Sequence, residues 1–90
     1  MPFRILYHPD VKKDLFKINE KLKKRLKKAV ETRLTESPQQ YGEPLRKTLK
    51  GYWKLRVGDY RIVFRISGNE ITIFGIIHRK TIYETVRKRL

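Results

Sequence analysis

The sequence predicts an α+β fold, with helices in its first half and antiparallel strands in its second. Apolar residues recur at helical spacing from Val11 to Leu34, and the period changes to two from Tyr52 onward. Two of the alternating runs are separated only by Gly58-Asp59, the length and composition of a hairpin loop. A chain of 90 residues bounds the architecture to one small domain, 1–90.

Phe3, Ile5 and Tyr7 alternate with Arg4 and Leu6, which suits a short first strand. Pro9-Asp10 then opens a helix, because proline fits a first turn and an acid suits the helix N-terminus. Val11, Leu15, Ile18 and Leu22 form one apolar stripe; Leu22, Leu26, Ala29 or Val30, and Leu34 form a second, ending before Pro38. A break at Asn19-Glu20 gives two antiparallel helices, a more compact arrangement than one long helix. Pro38, Gly42, Pro44 and Gly51 punctuate a long connection over 37–51. Strands follow over 52–57 and 60–66, joined by a type II′ turn with glycine first. A third strand spans 71–77 after a turn at 67–70, and 81–90 reads as a helical tail. With the early strand, that makes four strands.

Lys and Arg number 23 against 9 Asp and Glu, a net charge of +14 spread over both halves of the chain. Solubility rarely needs more than about 8 in a small domain, so the excess points to a polyanionic partner, nucleic acid first. A hydrophobic fraction of 39% is enough for a packed core rather than a disordered tail. No apolar run approaches the roughly 18 residues of a membrane span, and the start shows no signal-peptide pattern. No cysteine is present, which excludes disulfides and thiolate metal sites. A cytoplasmic protein without membrane contact, metal or small-molecule cofactor is expected.

The hairpin loop fixes the register. Val57 faces Tyr60, Leu55 faces Ile62 and Trp53 faces Phe64 on the core side. Arg56 opposite Arg61, Lys54 opposite Val63, and Tyr52 opposite Arg65 occupy the other side. If Gly68-Asn69 closes the next hairpin, Ile71, Ile73 and Ile77 join the core side, and Thr72, Phe74, Ile76 and His78 the basic side. Directly opposed arginines repel, and no acid lies on the same strands to relieve them. Such convergence suits a phosphate site better than cations splayed into water. Ile82, Val86 and Leu90 form a stripe that can cover Val63, Phe74 and Ile76; docking there brings Tyr83 toward the cations, and ordinary amphipathic packing of Tyr83 fits the same periodicity. On the helix, Lys23, Lys24, Arg25, Lys27 and Lys28 form either a solvated face or one that contacts phosphates or a partner.

Lys54-Leu55-Arg56-Val57-Gly58-Asp59-Tyr60-Arg61-Ile62-Val63-Phe64, followed by His78-Arg79-Lys80-Thr81-Ile82-Tyr83, closely resembles the RelE/ParE toxin superfamily of type II toxin–antitoxin systems, nearest its RelE-type mRNA interferases. The likeness covers nearly the whole chain, including Leu49-Lys50-Gly51 before the hairpin. It implies a RelE-like fold: two antiparallel helices packed on a mostly antiparallel four-stranded sheet, with a short C-terminal helical tail. It also implies a ribosome-dependent endoribonuclease toxin that needs no metal, cleaves mRNA in the A site, inhibits translation and is neutralised by a cognate RelB-like antitoxin. In that chemistry the messenger's own 2′-hydroxyl attacks the adjacent phosphorus.

The resemblance assigns catalysis to Lys54, Arg56, Arg61, Arg79 and Tyr83, although Arg56 stands where some members have Lys. Arg61 and Lys54 would stabilise the phosphorane-like transition state, and Arg79 the leaving 5′ oxygen. Tyr83 is the favoured base and Lys54 the second; both residue types need cationic neighbours to give up a proton near pH 7. His78 is a further possible base, since imidazole titrates in the right range. Lys23, Lys24, Lys27, Lys28 and Arg65 are the expected RNA and ribosome contacts. A ParE-like gyrase inhibitor without nuclease activity, or a non-catalytic member that only binds RNA or its antitoxin, are the alternatives.

Overall fold

The computed structural model describes residues 3–45 and 51–90; Leu49-Lys50 and part of the connection over 37–51 fall outside the described residues. The chain runs β1 (Arg4–Tyr7), α1 (Asp10–Phe16), α2 (Glu20–Ala29), α3 (Pro38–Tyr41), β2 (Glu43–Pro44), β3 (Tyr52–Val57), β4 (Tyr60–Ser67), β5 (Glu70–His78) and α4 (Ile82–Arg89). None of the described helices is long and apolar enough to cross a membrane.

Local chemistry explains the helical half. The His8 Nδ1 accepts the Asp10 N–H at 3.1 Å where α1 begins. Asn19 sits in extended backbone and its side chain accepts the Leu22 N–H at 2.8 Å, so it ends one helix and caps the next. The break falls where the sequence put it. Beyond α2 the helix widens into a π-helical turn, Val30–Leu34, that keeps Val30 and Leu34 buried.

The sheet order is β1-β5-β4-β3-β2, with β1 parallel to β5 and the other pairs antiparallel. The mixed sheet has five strands where four mostly antiparallel ones were expected; α4 is the expected C-terminal helical tail, and α3 is additional to the two expected helices. The extra strand, β2, has two residues and carries Pro44, which a sheet tolerates at an edge because no ladder N–H is required there. The first hairpin has the expected register throughout, from Val57 opposite Tyr60 to Tyr52 opposite Arg65. Gly58 has φ +58° and Asp59 is not left-handed, as a type II′ turn requires.

The second hairpin departs from expectation. Val63 pairs with Gly75 but Phe64 pairs with Ile73, so Phe74 is the extra residue of a β-bulge. The bulge shifts side-chain alternation by one position. Ile76 therefore joins the core with Ile62, Ile77 turns to the opposite face, and His78 packs edge-on against Tyr60 at 5.4 Å. These three residues exchange the sides the unbroken alternation assigned to them.

Two apolar clusters result. Val11, Ile18, Leu26, Val30 and Leu34 pack on Leu55, Val57, Ile62, Phe64, Ile71 and Ile73. On the other face, Ile82 and Val86 of α4 cover Val63 and Ile77, with Tyr52, Phe74 and Tyr83 at the margin. Leu90 was expected in that stripe but lies past the end of α4 and is 66% exposed.

Candidate active site

Because side chains alternate along β3 and β4, Lys54, Arg56 and Arg61 leave the sheet on the side that α4 partly covers. All three line one small cavity of about 180 Å³, together with Tyr41 and Glu43. Arg56 and Arg61 are directly opposed across the strands, as the register predicted. Two carbonyls hold the Arg61 guanidinium: its Nη1 donates to Gly58 O at 3.1 Å and to Tyr60 O at 2.9 Å. Neither acceptor carries a formal charge, so these two bonds orient the guanidinium without pairing it to an acid. The Lys54 ammonium lies 5.9 Å from the centre of the Tyr83 ring, within cation–π range.

The remaining expected residues lie elsewhere. Arg79 sits at the hairpin turn that Arg61 also grips, its Nε 3.7 Å from Asp59 Oδ1 and its N–H on Asp59 O at 2.9 Å, and it does not line the cavity. His78 is carried by the bulge to the opposite side, toward α1 and Tyr60, and its Nδ1 accepts the Lys80 N–H at 3.2 Å. Arg65 lies at the far end of the hairpin, its guanidinium 5.6 Å from the Tyr52 ring. Lys23 pairs with Glu20 at 3.2 Å, Lys24 and Lys27 are exposed, and Lys28 lines a separate groove beside β3.

The family model described as the ParE toxin of type II toxin–antitoxin systems, parDE, matches residues 5–83. The chain belongs to that family. Toxin RelE3 of Methanocaldococcus jannaschii is 30% identical over 84 residues, which is 90% of this chain and 96% of that one. Toxin RelG of Mycobacterium tuberculosis is 29% identical over 85 residues, covering 92% and 98%. In the crystal structure of the toxin–antitoxin complex RelBE2 from Mycobacterium tuberculosis, one chain superposes with a TM-score of 0.81 at 26% identity, covering 88% of this chain and 100% of that one. The RelE/ParE resemblance read from the sequence holds, and the protein is a type II toxin of RelE type.

Two features of this ParE-family toxin escaped the sequence reading. Glu43 on β2, paired with Lys54 of β3, brings a carboxylate to the site from a strand the sequence reading did not find. The second is a clasp at the edge of β5. Arg89 Nη1 donates to Asp14 Oδ2 at 2.9 Å while its Nη2 meets Oδ1, a bidentate pair whose side chains are only 14% and 11% exposed. Asp14 Oδ2 also accepts the Ile76 N–H at 2.9 Å, and Arg89 donates to Phe74 O at 3.3 Å. β1 stops pairing at Ile73, so the ion pair satisfies the backbone that a longer strand would have covered. The hydrogen bond to Asp14 raises the Arg89 pKa against the opposing effect of burial. Gly75 makes room for this contact: a Cβ there would lie 2.6 Å from Arg89 Nη1.

Proposed function

We propose that this toxin is a ribosome-dependent mRNA endoribonuclease acting in the A site, in the cytoplasm, and held inactive by a RelB-like antitoxin. The observation that carries the reading is the cavity lined jointly by Lys54, Arg56 and Arg61, with the Tyr83 ring beside Lys54. Polyanion binding follows from +14 on 90 residues. The A-site and RNA-cleaving parts rest on likeness to RelE-type toxins.

In the proposed reaction the 2′-hydroxyl loses its proton to a base, its oxygen bonds to the adjacent phosphorus, and the bond from phosphorus to the 5′ oxygen breaks as that oxygen takes up a proton, returned by the protonated base or by solvent. The products are a 2′,3′-cyclic phosphate and a 5′-hydroxyl end. No water enters the step. Lys54 and Arg61 face the extra negative charge of the phosphorane-like transition state, where preorganised donors contribute most. Arg56 orients the phosphate. Tyr83 is the first candidate to receive the proton and Lys54 the second. Arg79, held at the hairpin turn by Asp59, supports the leaving oxygen if the RNA draws it toward the cavity. His78 bonds to Lys80 on the far side of the sheet and takes no part.

The test adds the protein to programmed ribosomes and maps mRNA breaks by primer extension, using normal messenger and messenger carrying a single 2′-deoxynucleotide at the scissile position. Cleavage of the first, resistance of the second and loss of activity in Tyr83→Phe are expected. The ParE description of the matching family model favours a second reading, inhibition of DNA gyrase. Intact mRNA with trapped gyrase–DNA breaks would support that one. Silence in both assays would indicate a member that only binds RNA or its antitoxin.

A further inference from the structure

A second basic groove opens between α2 and the hairpin. It encloses about 500 Å³ and is lined by Arg25, Lys28, Arg33 and Arg56, with Gly58 at one end. All four cations are exposed, and none forms an ion pair among the described residues. The Arg25 guanidinium lies across the turn, 3.6 Å from where a Cβ on Gly58 would stand. β2 pairs only with Trp53 and Lys54, so no described strand covers this side of β3 from Leu55 to Val57. Arg56 lines both this groove and the cavity of the candidate active site, so the two basic surfaces are continuous.

From this continuity we infer that the groove binds the phosphate backbone of a single RNA strand whose scissile phosphate occupies the cavity. The inference rests on the nuclease reading for the identity of the strand, but the groove can be tested separately. A cationic groove that tracks the backbone is one half of sequence-tolerant single-strand binding, and the aromatic half is supplied at the adjoining cavity by Tyr41 and by Tyr83 beside Lys54. Its direction is set by charge: the neighbouring groove that shares Arg25 includes Asp59, whereas no acid lines this one among the described residues. An acidic helix from a protein partner fits less well. The apolar lining consists of Ala29 and Val57, each 6% exposed, which leaves little surface for an amphipathic face.

The experiment compares the wild-type protein with Arg25→Gln/Lys28→Gln/Arg33→Gln, leaving Arg56 in place. Affinities for a trinucleotide and a nonanucleotide, each 2′-deoxy at the scissile position, are measured against salt by fluorescence anisotropy. A matching thermal melt shows that the variant is folded. Single-strand contacts contribute a slope of about 0.7 each in log affinity against log salt. The nonanucleotide should therefore lose about 2 from its slope in the variant, while trinucleotide binding stays the same. Equal slopes in the two proteins, or a wild-type slope that does not steepen with length, would overturn the inference. It also fails if the variant weakens binding of a polyglutamate peptide and leaves the nonanucleotide unaffected. Absence of ribosomal cleavage with the slope difference intact would remove the nuclease reading and leave the groove standing.

Discussion

Replacing Arg89 by Met cuts the clasp while keeping most of the apolar stem. Asp14 then retains one partner, the Ile76 N–H, and its charge stays at an edge where its side chain is only 11% exposed. Removing one member of a fully buried pair costs about 3–5 kcal/mol. Here slight solvent access and the surviving hydrogen bond reduce that to about 2–3 kcal/mol. For a chain of this size the loss corresponds to a fall in Tm of roughly 10–20 °C. Urea unfolding of Arg89→Met, Asp14→Asn and the double variant gives the coupling energy, expected near 2 kcal/mol because Asn no longer leaves a stranded charge. The clasp also fixes the last turn of α4, the helix that carries Tyr83, so any cleavage activity should fall with it. Single variants within about 0.5 kcal/mol of wild type, or additive effects in the double, would refute this reasoning.

Three further outcomes follow from particular contacts. Gly75→Ala would push a methyl group against Arg89 and Ile77, at 2.6 and 2.9 Å, and should cost about 1–3 kcal/mol in urea unfolding, less when Arg89 is already Met. Burial, and then the carboxylate of Glu31, raise the Tyr7 pKa above its ordinary value of 10.0. The folded state thus holds that proton longer than the unfolded chain, so the resulting stability is complete below about pH 10 and is lost as pH rises beyond it; thermal melts of Tyr7→Phe should show a shallower alkaline decline. Glu43→Gln removes a carboxylate from the cavity, and at about 6 Å in water that repulsion is near 0.7 kcal/mol, so a 2′-deoxy oligonucleotide should bind about threefold tighter by anisotropy.

The first hairpin was legible because two residues determine it: Gly58-Asp59 permits one register, and the register gathers Lys54, Arg56 and Arg61. The Asn19 break was equally local. What escaped was mostly non-local. Asp14 and Arg89 are 75 positions apart and each looks like an ordinary polar helix residue, so nothing in their neighbourhoods announces the pair. β2 is too short to show a period, which hid Glu43 and with it the one carboxylate that lines the cavity among the described residues. The parallel pairing of β1 with β5 depends on how the intervening chain packs. The bulge did leave a trace: Gly75 interrupts the apolar run Ile73-Phe74-Gly75-Ile76-Ile77, and a glycine inside a strand often marks a bulge. Reading that run as unbroken assigned His78 to the basic side.

In the proposed mechanism the cavity over the β3–β4 face stabilises a phosphodiester during cleavage. The most direct test is the single-turnover rate of mRNA cleavage on programmed ribosomes by Arg61→Ala at saturating protein. Loss of one such donor should slow the rate by about 10²–10³-fold, with ribosome binding changed only a few-fold. An unchanged rate at saturation would contradict the account.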